Sequence, residues 1–414
     1  MSDIKSDRFS IKIDKKFFFL SVGFIVYPVI TLPWIIQGML RYERWAFVMW
    51  AVFMGFIGIL YPPVGDFYRY TRDFYFYKEL DWSEFLMAIS LKFDYLLAFL
   101  SYFFGKLNLN FDLVRFIYNF VAYLLLGSVF LKLTERNSAL SSDRKTRILA
   151  LVLFIPFSIS LFLFRFFFSM ILFVYGTYLI IEDKKKRGWL FVVLSVLNHF
   201  SFLIFFLALI FQRWGLFKFN RRIIVVLGVC GFFCGGLIVH LVMDYLPTDI
   251  VNQFSVYIDG YWAGDFLKDR SIWYKIQQFL GNLVVYCGVG TFILLYPSKP
   301  NRLVAWVNSL LLLAVVSSPF VVMYGRFMIV LLYGIKMFLL YSYDNSIMSK
   351  RYLHVLFMCM IISNMTELWG VRRQLSISRE KQLFCSSSIG ILTNHYSEEW
   401  IDDNVYESGD FKHD

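Results

Sequence analysis

Asp66, Arg69, Tyr70 and Arg72 fall within seven positions of one another, in a stretch that leaves an apolar segment through Pro62, Pro63 and Gly65. Guanidinium forks match phosphate oxygens two at a time, and a nearby carboxylate can take a proton from a hydroxyl. Such a group could hold a phosphorylated substrate and activate an acceptor. The competing reading is a solvated loop with local ion pairs and an aromatic belt at a membrane surface. Arg165 stands alone among apolar residues from Leu161 to Phe168, and Arg326 follows Gly325 between Tyr324 and Phe327. Each either snorkels to the headgroups or binds an anion at the mouth of a helix bundle. His199 is the histidine set beside two polar neighbours, Asn198 and Ser201, inside an apolar segment. It is either a structural donor to a carbonyl or an acid or base working near pH 7. His240 and His354 lack such company and read as structural.

The elements that must position these residues are membrane helices. The chain has 414 residues, 58% hydrophobic and 17% charged, with a mean hydropathy of +0.60, which is far too apolar for a soluble domain of this length. Twelve apolar segments stand out, at 17–37, 45–61, 85–104, 111–133, 148–164, 166–181, 188–211, 223–243, 279–296, 303–322, 327–343 and 352–369. The fold class expected is an all-α polytopic membrane protein with about 10–12 hydrophobic helices, some re-entrant or interfacial. Residues 1–369 form the membrane domain and 370–414 a polar tail that ends acidic. The segment 17–37 is long enough to stay as an anchor, and nothing before it resembles a cleavable signal.

Basic residues dominate the connections 134–147, 182–187, 212–222, 297–302 and 344–351, which marks all five as cytoplasmic. Acidic residues outnumber basic ones in 62–84 and 244–275, and both are placed outside. Simple alternation fails to reproduce this. The segment 188–211 has basic flanks at both ends and either turns back or is two short helices, with Asn198 to Ser201 as the place to bend. The segment 85–104 carries Lys92 and Asp94, which suit an interfacial or re-entrant helix rather than a crossing. This topology puts the Asp66 stretch, Asp94, Arg165, the 244–275 loop and Arg326 on one external face, with His199 pointing toward it. Tyr70 and Tyr257 are then external, and Lys185 and Arg221 cytoplasmic.

The net charge of +11 belongs to those cytoplasmic loops, so nucleic acid is not an expected partner. Five cysteines without a C-x-x-C pair indicate neither a disulfide framework nor a zinc site. The sequence holds no D-x-D motif, no phosphate-binding G-x-x-x-x-G-K-[ST] loop, no H-E-x-x-H helix and no G-x-S-x-G elbow. No metal and no cofactor are expected.

The run Gly65 to Tyr70 closing an early span, Lys92-Phe93-Asp94-Tyr95 leading into Leu107 to Phe111, Phe164-Arg165 opening a helix and the later Asn198-His199-Phe200-Ser201 together resemble the Wzy and EpsG-like family of polysaccharide polymerases. The order and spacing cover roughly 45–211. One departure is Phe166, Phe167 and Phe168 after the arginine, where family members often have small residues. The resemblance implies an integral glycosyltransferase of the GT-C type in the bacterial inner membrane. It would join oligosaccharide repeat units carried on undecaprenyl diphosphate at the outer face. It also implies roles: Asp66 or His199 as the base, and Arg69, Tyr70, Arg72, Asp94, Arg165 and Arg326 as substrate-binding groups. The partners are the lipid-linked oligosaccharide, membrane lipid and a chain-length regulator protein. Two alternatives use the same lipid-linked donor: a flippase, against which the absence of an internal repeat speaks, and an O-antigen ligase.

Overall fold

The structure is a computed structural model that describes residues 15–90, 92, 94–156, 163–259, 270–410 and 412. The regular elements among them are helices, as an all-α membrane protein requires. Five are long and apolar enough to cross a bilayer: Phe111–Arg136, Phe164–Ile181, Arg221–Met243, Val321–Ser342 and Ile347–Gly370. A sixth crossing results if Ile272–Gly281 and Leu283–Leu294, bent by 44° at Asn282, act as one. The remaining apolar segments are shorter. Segment 17–37 is broken at Tyr27, because Pro28 and Pro33 supply no backbone N–H; helices Lys15–Val26 and Leu32–Leu40 flank a 3-10 turn. Segment 85–104 divides into Trp82–Ile89 and Tyr95–Lys106, each too short to cross. The expected helix over 148–164 ends at Phe154, and its continuation through 157–162 lies outside the described residues.

The chain forms two compact units. The first comprises residues up to 85, 100–131 and 374–414. Its first labelled helices are α1 (Arg44–Leu60) and α2 (Asp66–Glu79), followed by α3 (Phe111–Arg136), which continues into the second unit. The Asp66 stretch is thus a helix and not the loop expected. Gly65 turns the chain with a φ of +57°, a conformation glycine adopts without steric cost. Phe67, Thr71 and Phe74 then follow at helical spacing and are buried, while Arg69 and Arg72 face solvent. The polar carboxyl-terminal segment belongs to this unit as well. Tyr396 donates from its hydroxyl to the Leu60 carbonyl at 2.9 Å, and Ser388 donates to that of Phe24 at 2.6 Å.

The second unit comprises 86–99 and 132–373. Its helices are α4 (Phe164–Ile181), α5 (Gly188–Asn198), α6 (Phe202–Arg213), α7 (Arg221–Met243), α8 (Thr248–Ile258), α9 (Ile272–Gly281), α10 (Leu283–Leu294), α11 (Arg302–Val316), α12 (Val321–Ser342) and α13 (Ile347–Gly370). Helix α4 is buried along nearly its whole length, and α5 returns along it. A Cβ on Gly176 would stand 2.6 Å from the Gly188 carbonyl oxygen, and one on Gly188 2.5 Å from that of Gly176. Only two glycines let these backbones meet. The polar Asn198 to Ser201 stretch then breaks the apolar run, as its basic flanks demanded, and α6 turns back until Gln212 donates to the Arg302 carbonyl at 3.0 Å.

Further bonds gather the basic connections at that same end. Asn308 donates to the Phe217 carbonyl, Asn137 donates to the Leu340 and Tyr343 carbonyls, and Arg136 pairs with Glu182 at 2.7 Å. The start of α4, the α5–α6 turn and the first turns of α12 lie at the opposite end of this unit.

Candidate functional site

Arg165 occupies the first turn of α4, a position the helix dipole disfavours for a cation. Its guanidinium is held there by Asp94, whose Oδ2 lies 2.8 Å from Nη1. The other carboxylate oxygen of Asp94 accepts the backbone N–H of Phe200 at 2.7 Å. One acid therefore ties the arginine to the turn that carries His199. Asn198, fully buried, completes the tie. Its side-chain amide donates to the Arg165 carbonyl at 3.0 Å and to the Ser169 hydroxyl at 2.8 Å. These bonds fix the end of α5 against the start of α4, so the following residue, His199, has a set direction.

The His199 Nδ1 lies 2.9 Å from the Ser201 hydroxyl, and its ring packs edge-on against Phe166 and Phe202. Arg326, on the second turn of α12, donates to the Tyr257 hydroxyl at 3.3 Å and lies over the rings of Tyr257 and Phe166. A cavity of about 150 Å³ opens between these groups, lined by Asp94, Arg165, His199, Ser201, Tyr257 and Arg326 among others.

The cavity is net positive, since two guanidiniums face one carboxylate that one of them already neutralises. Burial, and after it the charges of Arg165 and Arg326, hold the His199 imidazole well below its ordinary value. At neutral pH it is therefore an uncharged base beside two cations. This arrangement can hold an anion with a bridging or terminal oxygen on each guanidinium and accept a proton next to it. Hydroxyls from Ser201 and Tyr257 add donors.

Of the residues singled out in the sequence, Asp94, Arg165, His199 and Arg326 meet around this cavity. Asp66, Arg69, Tyr70 and Arg72 share α2 in the first unit. There Asp66 and Arg69 form an exposed ion pair one turn apart. Arg72 pairs with Asp402 at 2.6 Å and donates to the Tyr68 hydroxyl at 3.2 Å.

Two features escaped the sequence. Tyr257 lies in a stretch distinguished there only by acidity, yet it lines the cavity on a helix. In the first unit, Arg115 is 1% exposed and paired with Asp112 at 2.9 Å. It donates to the Tyr61 carbonyl and lies over the Phe67 ring, and Asp112 is in turn 3.2 Å from the His395 Nδ1. The signal available was two charges three apart in an apolar segment, Asp112 and Arg115, which share a helix face.

Among the described residues no group of three or more His, Cys, Asp or Glu side chains could hold a metal ion. No curated protein and no solved structure matches the chain. The sequence model of the EpsG family matches residues 43–373, a span that holds all the residues lining the cavity, and the chain belongs to that family.

Proposed function

We propose that this membrane protein is a glycosyltransferase that polymerises oligosaccharide repeat units carried on undecaprenyl diphosphate, at the outer face of the bacterial cytoplasmic membrane. The observation that carries the reading is the convergence of Arg165, Arg326 and His199 on one cavity. Membership of the EpsG family supports the polymerase class. The position of the cavity opposite the basic connections supports the outer face, because cytoplasmic loops carry the excess of Lys and Arg.

In this reading the oxygen of an acceptor hydroxyl forms a bond to the anomeric carbon of the donor sugar, and the bond from that carbon to the diphosphate oxygen breaks. The hydroxyl proton passes to His199. With Nδ1–H donating to the Ser201 oxygen, the other ring nitrogen keeps its lone pair for that proton. The electron pair leaves with the diphosphate, whose growing charge is met by guanidiniums already in place, so little reorganisation is needed as the bond breaks. Asp94 positions Arg165 and the His199 turn. Asp66, with Arg69, Tyr70 and Arg72 on the same helix, is proposed as a second polar group that orients an incoming unit. A chain-length regulator is a natural protein partner for such an enzyme.

Purified protein in lipid nanodiscs, given lipid-linked repeat units alone, should build a ladder of longer glycans and free the diphosphate carrier. Absence of a ladder, together with movement of unaltered units across a vesicle membrane, would replace the polymerase with a transporter. Transfer of a unit only onto a lipid A core acceptor would make it a ligase.

A further inference from the structure

A second cavity of about 480 Å³ adjoins the first in the same unit, and Arg326 lines both. Residues of α9, α10, α12 and α13 line it, and the 44° break between α9 and α10 falls on its wall at Gly281 and Asn282. Its volume falls in the range of about 300–1,000 Å³ usual for small-molecule sites. The chemistry of its lining differs from that of the first cavity. Gln277, Gln278, Asn282 and Asn364 contribute four carboxamides and Glu367 one carboxylate, and Arg326 at the junction is the cationic side chain among the lining residues. Toward the middle of the bundle the wall becomes apolar, with Val285, Ile329, Leu332 and Met360.

We infer that this second cavity binds a neutral glycan, the sugar portion that accepts the transfer, with Glu367 and the carboxamides as its recognition groups. The inference rests on the polymerase reading of the neighbouring cavity. The amides of Gln277, Gln278 and Asn282 already donate to the Thr366 carbonyl, the Tyr274 hydroxyl and the Gln278 carbonyl, so what they offer a sugar hydroxyl is chiefly an acceptor oxygen, and a carboxylate accepts from two hydroxyls at a time. The apolar wall suits the C–H face of a pyranose ring. A second anion is disfavoured by Glu367, and a polyprenyl chain could return no hydrogen bond to so polar a lining. Charge therefore sorts the two halves of the reaction: the diphosphate on the guanidinium side, the uncharged glycan on the amide side, and Arg326 where they meet.

Gly325 lines the second cavity, and a Cβ added there meets nothing within 4 Å. Gly325→Leu therefore fills the cavity without straining the helix, and Glu367→Gln removes the charge at nearly constant shape. The test uses the full chain in nanodiscs and two probes: inorganic pyrophosphate, and the producing cell's own repeat-unit oligosaccharide released from its carrier and free of phosphate. Both variants should weaken oligosaccharide binding about tenfold, the scale of one lost hydrogen bond to a charged group, and leave pyrophosphate binding within about twofold of the parent. If Glu367→Gln folds poorly, Gly325→Leu decides alone. Parent-like oligosaccharide binding in the folded variants overturns the inference. Displacement of the oligosaccharide by free polyprenol also overturns it and makes the cavity a slot for the lipid chain. Failure of the parent to bind pyrophosphate strikes instead at the reading of the first cavity, and leaves the oligosaccharide comparison to stand or fall by itself.

Discussion

Arg165 and Asp94 behave as one device. Removing the guanidinium takes away a donor and also leaves the Asp94 carboxylate, 2.8 Å from where it stood, facing the proposed anion site. Arg165→Ala should therefore lose about 2.7–4 kcal/mol of transition-state stabilisation, two to three orders of magnitude in rate, as when one preorganised donor is removed elsewhere. Arg165→Lys keeps the charge without the planar fork and should make shorter chains at a reduced rate. Both are read from glycan ladders made in vitro from lipid-linked units at matched protein levels; parental ladders from the alanine variant would reduce Arg165 to a snorkelling residue. A pH profile gives a second reading of the same cavity. In the proposed mechanism His199 acts as the free base, and its lowered pKa keeps it uncharged as the pH falls into the range where an ordinary imidazole, near 6.5, would be protonated. Arg326→Gln removes one of the charges responsible. The acid limb of the rate profile should then move to higher pH, and a limb that stays in place would mean that His199 does not carry the titration.

At the scale of elements, the sequence revealed the apolar runs and, through basic flanks around a polar centre, the break at Asn198 to Ser201. It hid what depends on distant partners. Asp112 and His395 are 283 positions apart and Arg72 and Asp402 330, and no local pattern announces such pairs. The helix at Asp66 was hidden differently: its buried stripe of Phe67, Thr71 and Phe74 was legible, but the surrounding prolines, glycine and charges read more strongly as a loop. The cavity residues were found one by one, because each is a polar group out of place in an apolar run. Topology gathered them on one face, but the cavity they form was not legible, since it is made by bonds between distant positions, such as that from the Phe200 N–H to Asp94, 106 residues apart. The buried Arg115 locks α3 to the end of α1 through the Tyr61 carbonyl. Arg115→Leu strands the Asp112 carboxylate with His395, so unit one should lose about 3–5 kcal/mol. Replacing Asp112 by leucine as well should restore most of it. Thermal unfolding of both variants checks the sign and the recovery; equal losses would show that packing and not charge is at stake.

The whole second unit carries its basic connections at one end and its candidate cavity at the other. Cysteines placed singly at 185, 221 and 257 in a background free of the five native cysteines should separate the two ends. An impermeant thiol reagent added outside should label position 257 and spare 185 and 221. Labelling of 221 from outside would mean that α5 and α6 cross the bilayer as one, contrary to their fold-back. The assignment of α2 to the outer face is checked independently by labelling at position 70.

The carboxyl-terminal segment sets an order for biosynthesis. Unit one is built from residues near both ends of the chain, and Tyr396, Asp402 and His395 bond to residues made more than 280 positions earlier. Unit two consists mostly of one uninterrupted run, 132–373, whose hairpins can close as they emerge. Synthesis from the amino end therefore completes the cavity-bearing unit before residues 374–414 are made, and Asp112 lacks His395 until then. A chain stopped after Arg373 should keep unit two resistant to protease and leave α2 open to cleavage, so residues 374–414 serve as a seal on helices made long before them.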